Sequence, residues 1–342
     1  MRLLHLCHQS KGRQSVFRDL GDRLYSGEKS VDVVGRWRIW YAISAVAVLV
    51  ALGAVLFRGL NLGIEFKGGA EFVLPSSKVS IVQAREFMSD LGVPTAVVIQ
   101  VGQDRLQIQT PVISEEDSLR LGTEIAKRIG VGEEEIAVRT VGPTWGADIT
   151  QQAIISLGVF LFLVAVFLSI YLDWRSAIAA LVALLHDVII TVGVYAIFGL
   201  KVTPATIIGV LTILAYSLYD TVVVFDKVRE NTKGILQQSR YTYNEAVNLA
   251  VNQTFIRSIN TSVTTLLPIT AILVVGAGVF NAGTLIELAV ALGVGVLVGT
   301  YSSIFIAPCV LAQLKDRQPA IIALNRRVKA RRADKEKGQT KN

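Results

Sequence analysis

The chain has 342 residues, of which 52% are hydrophobic and only 18% charged, with a formal net charge of +7. The charges are segregated and long uncharged runs stand between them, which excludes an ordinary soluble domain and points to a polytopic membrane protein. The two cysteines, Cys7 and Cys309, lie at opposite ends of the chain, so a disulfide framework is not expected and no metal-ligand spacing appears.

Residues 1–38 are polar and basic. Ile39–Phe57 is uncharged between Arg38 and Arg58, long enough to cross the hydrocarbon core. Trp37, Trp40 and Tyr41 mark its start as an interfacial aromatic belt. It comes too late and lacks the small-residue site of a cleaved leader, so it is expected to be retained as the first span.

Charge returns over residues 58–148. Ala70–Pro75 reads as a strand and Ser80–Leu91 as a helix capped by Ser80. Ala96–Val101 and Leu106–Val112 read as strands around a Gly-Gln-Asp turn. Ser114–Ile129 reads as a second helix, with Ser114 and Asp117 as its cap, and Glu135–Val141 as a last strand. This β-α-β-β-α-β order predicts a small α+β, ferredoxin-like domain. Gly68-Gly69, just before the first strand, predicts a tight backbone entry into it.

Five further spans are expected within 149–312, at 150–172, 176–200, 205–225, 260–279 and 284–311. Between 176–200 and 205–225, the third and fourth of the six spans, Pro204 suits a first helical turn. Gly276, Gly278 and Gly283 around Asn281 mark a turn before the last span, and Asp226–Arg257 is polar with helical potential. Residues 313–342 form a basic tail, expected to be disordered. Lys and Arg crowd both ends and the Asp226–Arg257 loop, so both termini are expected in the cytoplasm and residues 58–148 outside.

Ionisable groups inside the apolar runs are the candidate site. Asp220 lies in Leu-Ala-Tyr-Ser-Leu-Tyr-Asp-Thr-Val-Val-Val-Phe-Asp, roughly 7–9 Å from the wet end of its span and too short to snorkel. Tyr216 and Thr221 are positioned to offer it hydroxyls. Asp187 sits deep in the third span beside His186, a residue suited either to proton relay or to packing. Arg257, at the head of the fifth span, reads either as a topology anchor or as a charge partner that pairs with Asp220 in one state. Asp226, with Lys227, Arg229 and Glu230, reads as a charged rim, and Glu287 as an interfacial group. The small-residue run Gly293–Ser303 allows close helix packing. No nucleophile elbow, zinc motif or phosphate-cradling loop appears, so no enzyme activity and no cofactor are expected, and an ion gradient is the expected energy source. The basic ends carry no nucleic-acid-binding signal.

Several segments together resemble one family. They are Gly63-Ile-Glu-Phe-Lys-Gly-Gly69, His186-Asp187, Tyr216–Asp226, Arg257-Ser-Ile-Asn-Thr-Ser262 with Thr264-Thr265-Leu266, and Gly299-Thr-Tyr-Ser-Ser-Ile-Phe305. In order and spacing they are similar to the SecF family of protein-export membrane subunits, within the resistance-nodulation-division superfamily, over roughly residues 35–312. The resemblance implies a homologous six-span partner, SecD, and action with the SecYEG channel on exported polypeptides in the bacterial cytoplasmic membrane. It also implies that proton entry drives late steps of export, with Asp220 as the proton-linked carboxylate and Arg257 as its partner. The family carries an aspartate where Glu65 stands here. The competing expectation is a proton-coupled half-transporter for a lipid or small hydrophobic solute.

Overall fold

The computed structural model describes residues 23, 29–101, 105–275 and 283–339. Among the described residues, six helices are long and apolar enough to cross a membrane, the architecture of a polytopic helical membrane protein. They are α1 (Trp37–Arg58), α5 (Pro143–Tyr171), α6 (Trp174–Phe198), α7 (Pro204–Thr232), α8 (Tyr243–Val275), and a last span in three parts. Those parts are α9 (Gly283–Tyr301), a π-helical turn (Ser302–Ile306) and α10 (Ala307–Asp316).

Three helices run past the apolar windows. α5 begins seven residues earlier than position 150, because Pro143 takes the first helical turn, where a missing N–H costs nothing. α7 continues to Thr232 and carries Asp226 on helix, and α8 starts at Tyr243. Apolarity marks where lipid is, whereas backbone hydrogen bonding continues into water. The turn expected around Asn281 and the Gly-Gln-Asp turn at 102–104 lie outside the described residues.

Between α1 and α5 the chain builds β1 (Asn61–Leu62), α2 (Ile64–Lys67), β2 (Gly69–Pro75), α3 (Ile81–Asp90), β3 (Val97–Val101), β4 (Arg105–Gln109), α4 (Glu115–Ile129) and β5 (Ala137–Val141). The four longer strands form a fully antiparallel sheet in the order β3-β4-β2-β5. Period-two alternation turns Phe72, Leu74, Leu106 and Ile108 to one face, where they bury with Phe87 and Met88 of α3 and Ile125 of α4. Ser80 and Gln83 close a capping box on α3, and Ser114 caps α4 by accepting from the Asp117 N–H.

The opposite face is polar and fastens the sheet to the bundle. Glu71 is buried there, and its Oε2 accepts from Gln109 Nε2 at 3.1 Å and from Lys201 Nζ at 2.7 Å. Lys201 belongs to β6 (Lys201–Val202), between α6 and α7, which pairs in parallel with β1. Nearby, Arg139 Nη1 lies 3.2 Å from Glu65 Oε1, and Thr203 Oγ1 donates to Glu287 Oε2 at 2.8 Å. Gly69, at φ +128°, enters the sheet where a Cβ would run into the Thr110 carbonyl oxygen. Only glycine meets both demands.

At the far end of the bundle, Asn248 Oδ1 accepts from the N–H groups of Val33 and Val34, and Asn252 Oδ1 from that of Val31. The segment before α1 is thereby held against α8. Asp173, between α5 and α6, is pushed up by burial, but Lys315 at 2.9 Å and the Ser176 hydroxyl outweigh this and hold it below its usual value. That clamp is present above the ordinary carboxylate range and is lost as pH falls through the lowered value.

The expectation of a disordered tail is overturned. Pro319–Gln339 is a helix, α11. Its composition is basic, but Ile321, Leu324 and Val328 fall at helical spacing and bury in the same core as Ile235. Arg327 donates to the Leu236 carbonyl and Arg332 grips Glu245 with both nitrogens.

Gly69→Ala is expected to lower stability by about 1–3 kcal/mol, the usual cost of a strained backbone position. Thermal unfolding in detergent checks this, and an unchanged midpoint contradicts the close-approach argument.

Candidate functional site

Two acids lie deep in the bundle. Asp187 on α6 is 2% exposed and Asp220 on α7 is 7% exposed. An ionised carboxylate at such a place needs donors on both oxygens. Asp220 Oδ1 accepts from Ser258 Oγ of α8 at 2.7 Å, and Oδ2 accepts from Ser303 Oγ of the π turn. Asp187 Oδ2 accepts from Ser217 Oγ at 2.6 Å and from Ser302 Oγ at 2.9 Å, while its Oδ1 lies 3.1 Å from His186 Nδ1.

The two adjacent serines of the π turn thus serve different acids on different helices. Consecutive helical side chains point about 100° apart, so Ser302 faces α6 and Ser303 faces α7. A π turn supplies one extra residue at a site of close contact, as such turns often do where function resides. Approach is close because Gly299 stands against Ser217, and a Cβ there would sit 2.8 Å from the Ser217 Cβ.

The expected site residues divide into two groups. Asp187, His186 and Asp220 come together through the serines. Tyr216 and Thr221 are not the hydroxyl donors to Asp220. The Tyr216 hydroxyl instead accepts from Thr265 Oγ1 of α8 at 3.4 Å. Thr221 is buried and lies about 100° round the helix from Asp220. Arg257 is exposed, with Nη2 3.3 Å from the Tyr219 hydroxyl. No ion pair joins it to Asp220 among the described residues, although the next residue, Ser258, does hold that acid. Asp226 accepts from the Tyr171 hydroxyl at 3.0 Å, away from the buried pair.

The four serines are the functional candidates that sequence reasoning passed over. Their only signal was hydroxyls set among small residues in apolar runs, at Ser217 three residues before Asp220 and at Ser302-Ser303. Among the described residues, His186 is the one cation-capable group bonded to either acid. Its Nδ1 lies against Asp187 Oδ1, and its Nε2 is buried without a protein partner. The cluster therefore holds each carboxylate on two serine hydroxyls, and among the described residues no Lys or Arg pairs with either acid.

Comparison with known proteins follows the same segments. Residues 123–317 match the family model "Protein export membrane protein SecD/SecF, C-terminal", and residues 53–78 match "SecD/SecF GG Motif". The chain is 44% identical over 315 residues to the protein translocase subunit SecF of Streptomyces coelicolor, covering 92% of this chain and 84% of that one. It is 40% identical over 321 residues to SecF of Mycobacterium tuberculosis, covering 91% and 73%. The crystal structure of SecDF from Thermus thermophilus, described as a translocon-associated membrane protein, superposes with a TM-score of 0.76 at 34% identity. That match covers 84% of this chain and 39% of the SecDF chain, so this chain spans about two fifths of that protein.

Ser303→Ala removes one of two donors to Asp220 and is expected to cost about 1.5–3 kcal/mol, as for a hydrogen bond to a charged group. In an Asp220→Asn background the same substitution is expected to cost less than half as much. A double-mutant cycle on unfolding in detergent checks this, and additive effects contradict the contact.

Proposed function

The chain belongs to the SecD/SecF family of protein-export membrane proteins, and from that premise we propose that it is a SecF-type subunit working with SecD in Sec-dependent translocation. It assists exported polypeptides at the SecYEG channel, spends the proton motive force on late movement and release of those chains, and is not itself an enzyme. Asp220 is the proton-linked carboxylate, Asp187 and His186 its relay, and Arg257 the charge partner engaged in another state.

The observation that carries this reading is the pair of buried acids held by neighbouring hydroxyls of one π turn. Loading a proton on Asp220 turns its carboxylate from acceptor to donor, which changes what Ser303 and Ser258 are able to do. The turn then feels the protonation state directly.

An exposed polar stripe supports the SecD partnership. Arg257, Asn260 and Thr264 are exposed along α8 at helical spacing, beside the exposed Tyr219 of α7. Polar groups at membrane depth face protein or water rather than lipid. A second six-span half, as fused in SecDF, covers such a face. Asp226, with Tyr216 and Thr221, is read as a supporting group.

Distribution of basic residues supports both termini in the cytoplasm of a bacterium and the α/β domain outside the cytoplasmic membrane. We read that domain as ferredoxin-like, on its strand order and its two helices sharing one core.

A second reading, a half-transporter for a lipid or small hydrophobic solute, is favoured by one feature. An apolar cavity of about 240 Å³ lies among Leu62, Phe66, Leu157, Val188 and Val210. Leu157→Trp, which fills it, is expected to leave export unchanged under the first reading and to reduce transport of the apolar solute under the second.

In membrane vesicles, Asp220→Asn is expected to abolish stimulation of export by a proton gradient while SecD still co-purifies. Stimulation at the wild-type level sinks the proton role. Arg257→Lys is expected to lose most of the stimulation too, because an ammonium does not reproduce a bidentate guanidinium contact. Wild-type behaviour removes Arg257 from the scheme.

A further inference from the structure

A cavity of about 360 Å³ opens at the end of the bundle opposite the α/β domain, between α1, α8 and α10. Trp37 of α1, Asn244 of α8, Cys309, Gln313 and Asp316 of α10, and Arg317 just beyond it line the walls. The first span begins at Trp37 and the last ends at Asp316, so the cavity lies where two spans meet the same membrane surface. Neighbouring groups mark that level too. Lys315 pairs with Asp173, the following Trp174 is 57% exposed, and the Arg175 guanidinium lies 4.3 Å from its ring centre. Tryptophan and arginine at the ends of spans sit at headgroup level.

Among the described residues, five buried side-chain polar atoms lack a protein partner, and three of them gather here. Asn244 Oδ1 and Gln313 Nε2 belong to the walls themselves. Tyr41 Oη follows one turn deeper on α1, its ring edge-on to Trp37 at 5.4 Å. A buried polar atom without a partner is costly, so a cluster of them calls for a polar occupant.

The unmet groups are of opposite kinds. Asn244 Nδ2 donates to Asp316 Oδ2 at 3.3 Å, which turns the other end of the amide, the acceptor Oδ1, away from that acid. Asp316 Oδ1 accepts from Asn325 Nδ2 at 2.7 Å. A carboxylate has about four acceptor sites, so Asp316 keeps capacity for a further donor. Gln313 and Arg317 are four residues apart and share a face, and both offer N–H groups. One wall therefore asks for a cationic donor and the other for an anionic acceptor.

We propose that this cavity holds the headgroup of a zwitterionic phospholipid, phosphatidylethanolamine. Its ammonium sits on Asn244 Oδ1 and Asp316, and its phosphodiester on Gln313 Nε2 and the Arg317 guanidinium. An ammonium brings three N–H donors to those acceptors, and a guanidinium is suited to phosphate oxygens. An anionic glycerol headgroup brings no cation to Asp316, and a choline headgroup has no N–H to give. The exposed Ile39, Ile43 and Val46 of α1 offer the acyl chains an apolar track. A lipid held in this way ties α1 to α8 and α10. The site stands apart from the buried acids and does not depend on the export reading.

The test takes the full chain in detergent with equimolar dioleoyl phosphatidylethanolamine and dioleoyl phosphatidylglycerol, and native mass spectrometry counts the lipid retained. Phosphatidylethanolamine is expected to be retained at least about fivefold over phosphatidylglycerol, the ratio a single well-met polar contact gives. Equal retention overturns the proposal, and an excess of phosphatidylglycerol assigns the cavity to anionic lipid and overturns it too. Gln313→Met keeps the side chain's length and removes only the amide, so it is expected to abolish the preference while the unfolding midpoint stays at the wild-type value. Arg317→Gln, on an exposed side chain, is expected to do the same. A preference that survives both variants overturns the phosphate contact. Phosphoethanolamine without acyl chains is expected not to displace the lipid at equal concentration. Displacement makes the occupant a soluble phosphate ester and overturns the lipid assignment.

Discussion

The need to hold two carboxylates inside an apolar bundle governs the middle of this protein. Each ionised oxygen buried away from water needs a donor. Here those donors are four serine hydroxyls on α7, α8 and the π turn, with His186 adding a fifth contact. Small side chains follow from that requirement. A hydroxyl on one helix reaches an acid on another only where the backbones come close, and Gly299 against Ser217 provides this. The same closeness makes the last span, with α6, the most enclosed part of the bundle. The four serine hydroxyls are neutral donors, and among the described residues no Lys or Arg pairs with either acid.

The α/β domain is tied to this bundle by a different chemistry. Lys201 reaches from between α6 and α7 to Glu71 on the polar sheet face, and β1 pairs with β6 beside it. Glu287, at the start of the last span, takes the Thr203 hydroxyl in the same region. The helix that carries the π turn therefore begins at the domain junction. A shift of the last span along its axis is felt both at the acids and at the domain's attachment. The connection runs through one continuous helix rather than a chain of loose contacts.

Much of this was legible in the sequence, for definite reasons. Spans show as uncharged runs because hydrocarbon tolerates nothing else, and the strands and helices of the inserted domain show through alternation and caps at Ser80 and Ser114. Asp187 and Asp220 stood out because acids are costly where they lie. Their partners did not, since a serine is cheap in a helix and leaves no mark when it bonds an acid 30 or 83 residues away. Tyr216 and Thr221 looked suitable from position on the helix alone, but ring length and direction around the axis decide contact. The basic tail misled because its charge hid three apolar positions, Ile321, Leu324 and Val328, whose spacing makes a docked helix.

The π turn has a geometric consequence for everything after it. One residue inserted into an α-helix rotates the following segment by about 100° with little added rise. Cys309, Gln313 and Asp316 face α1 because five residues, Ser302–Ile306, set that phase. Were the turn to relax to ordinary α geometry, Ser302 and Ser303 would lose their acids, and Cys309, Gln313 and Asp316 would swing away from α1 in one movement. The last span is in this sense a crankshaft, with the two serines at its throw and the face toward α1 riding on the same journal.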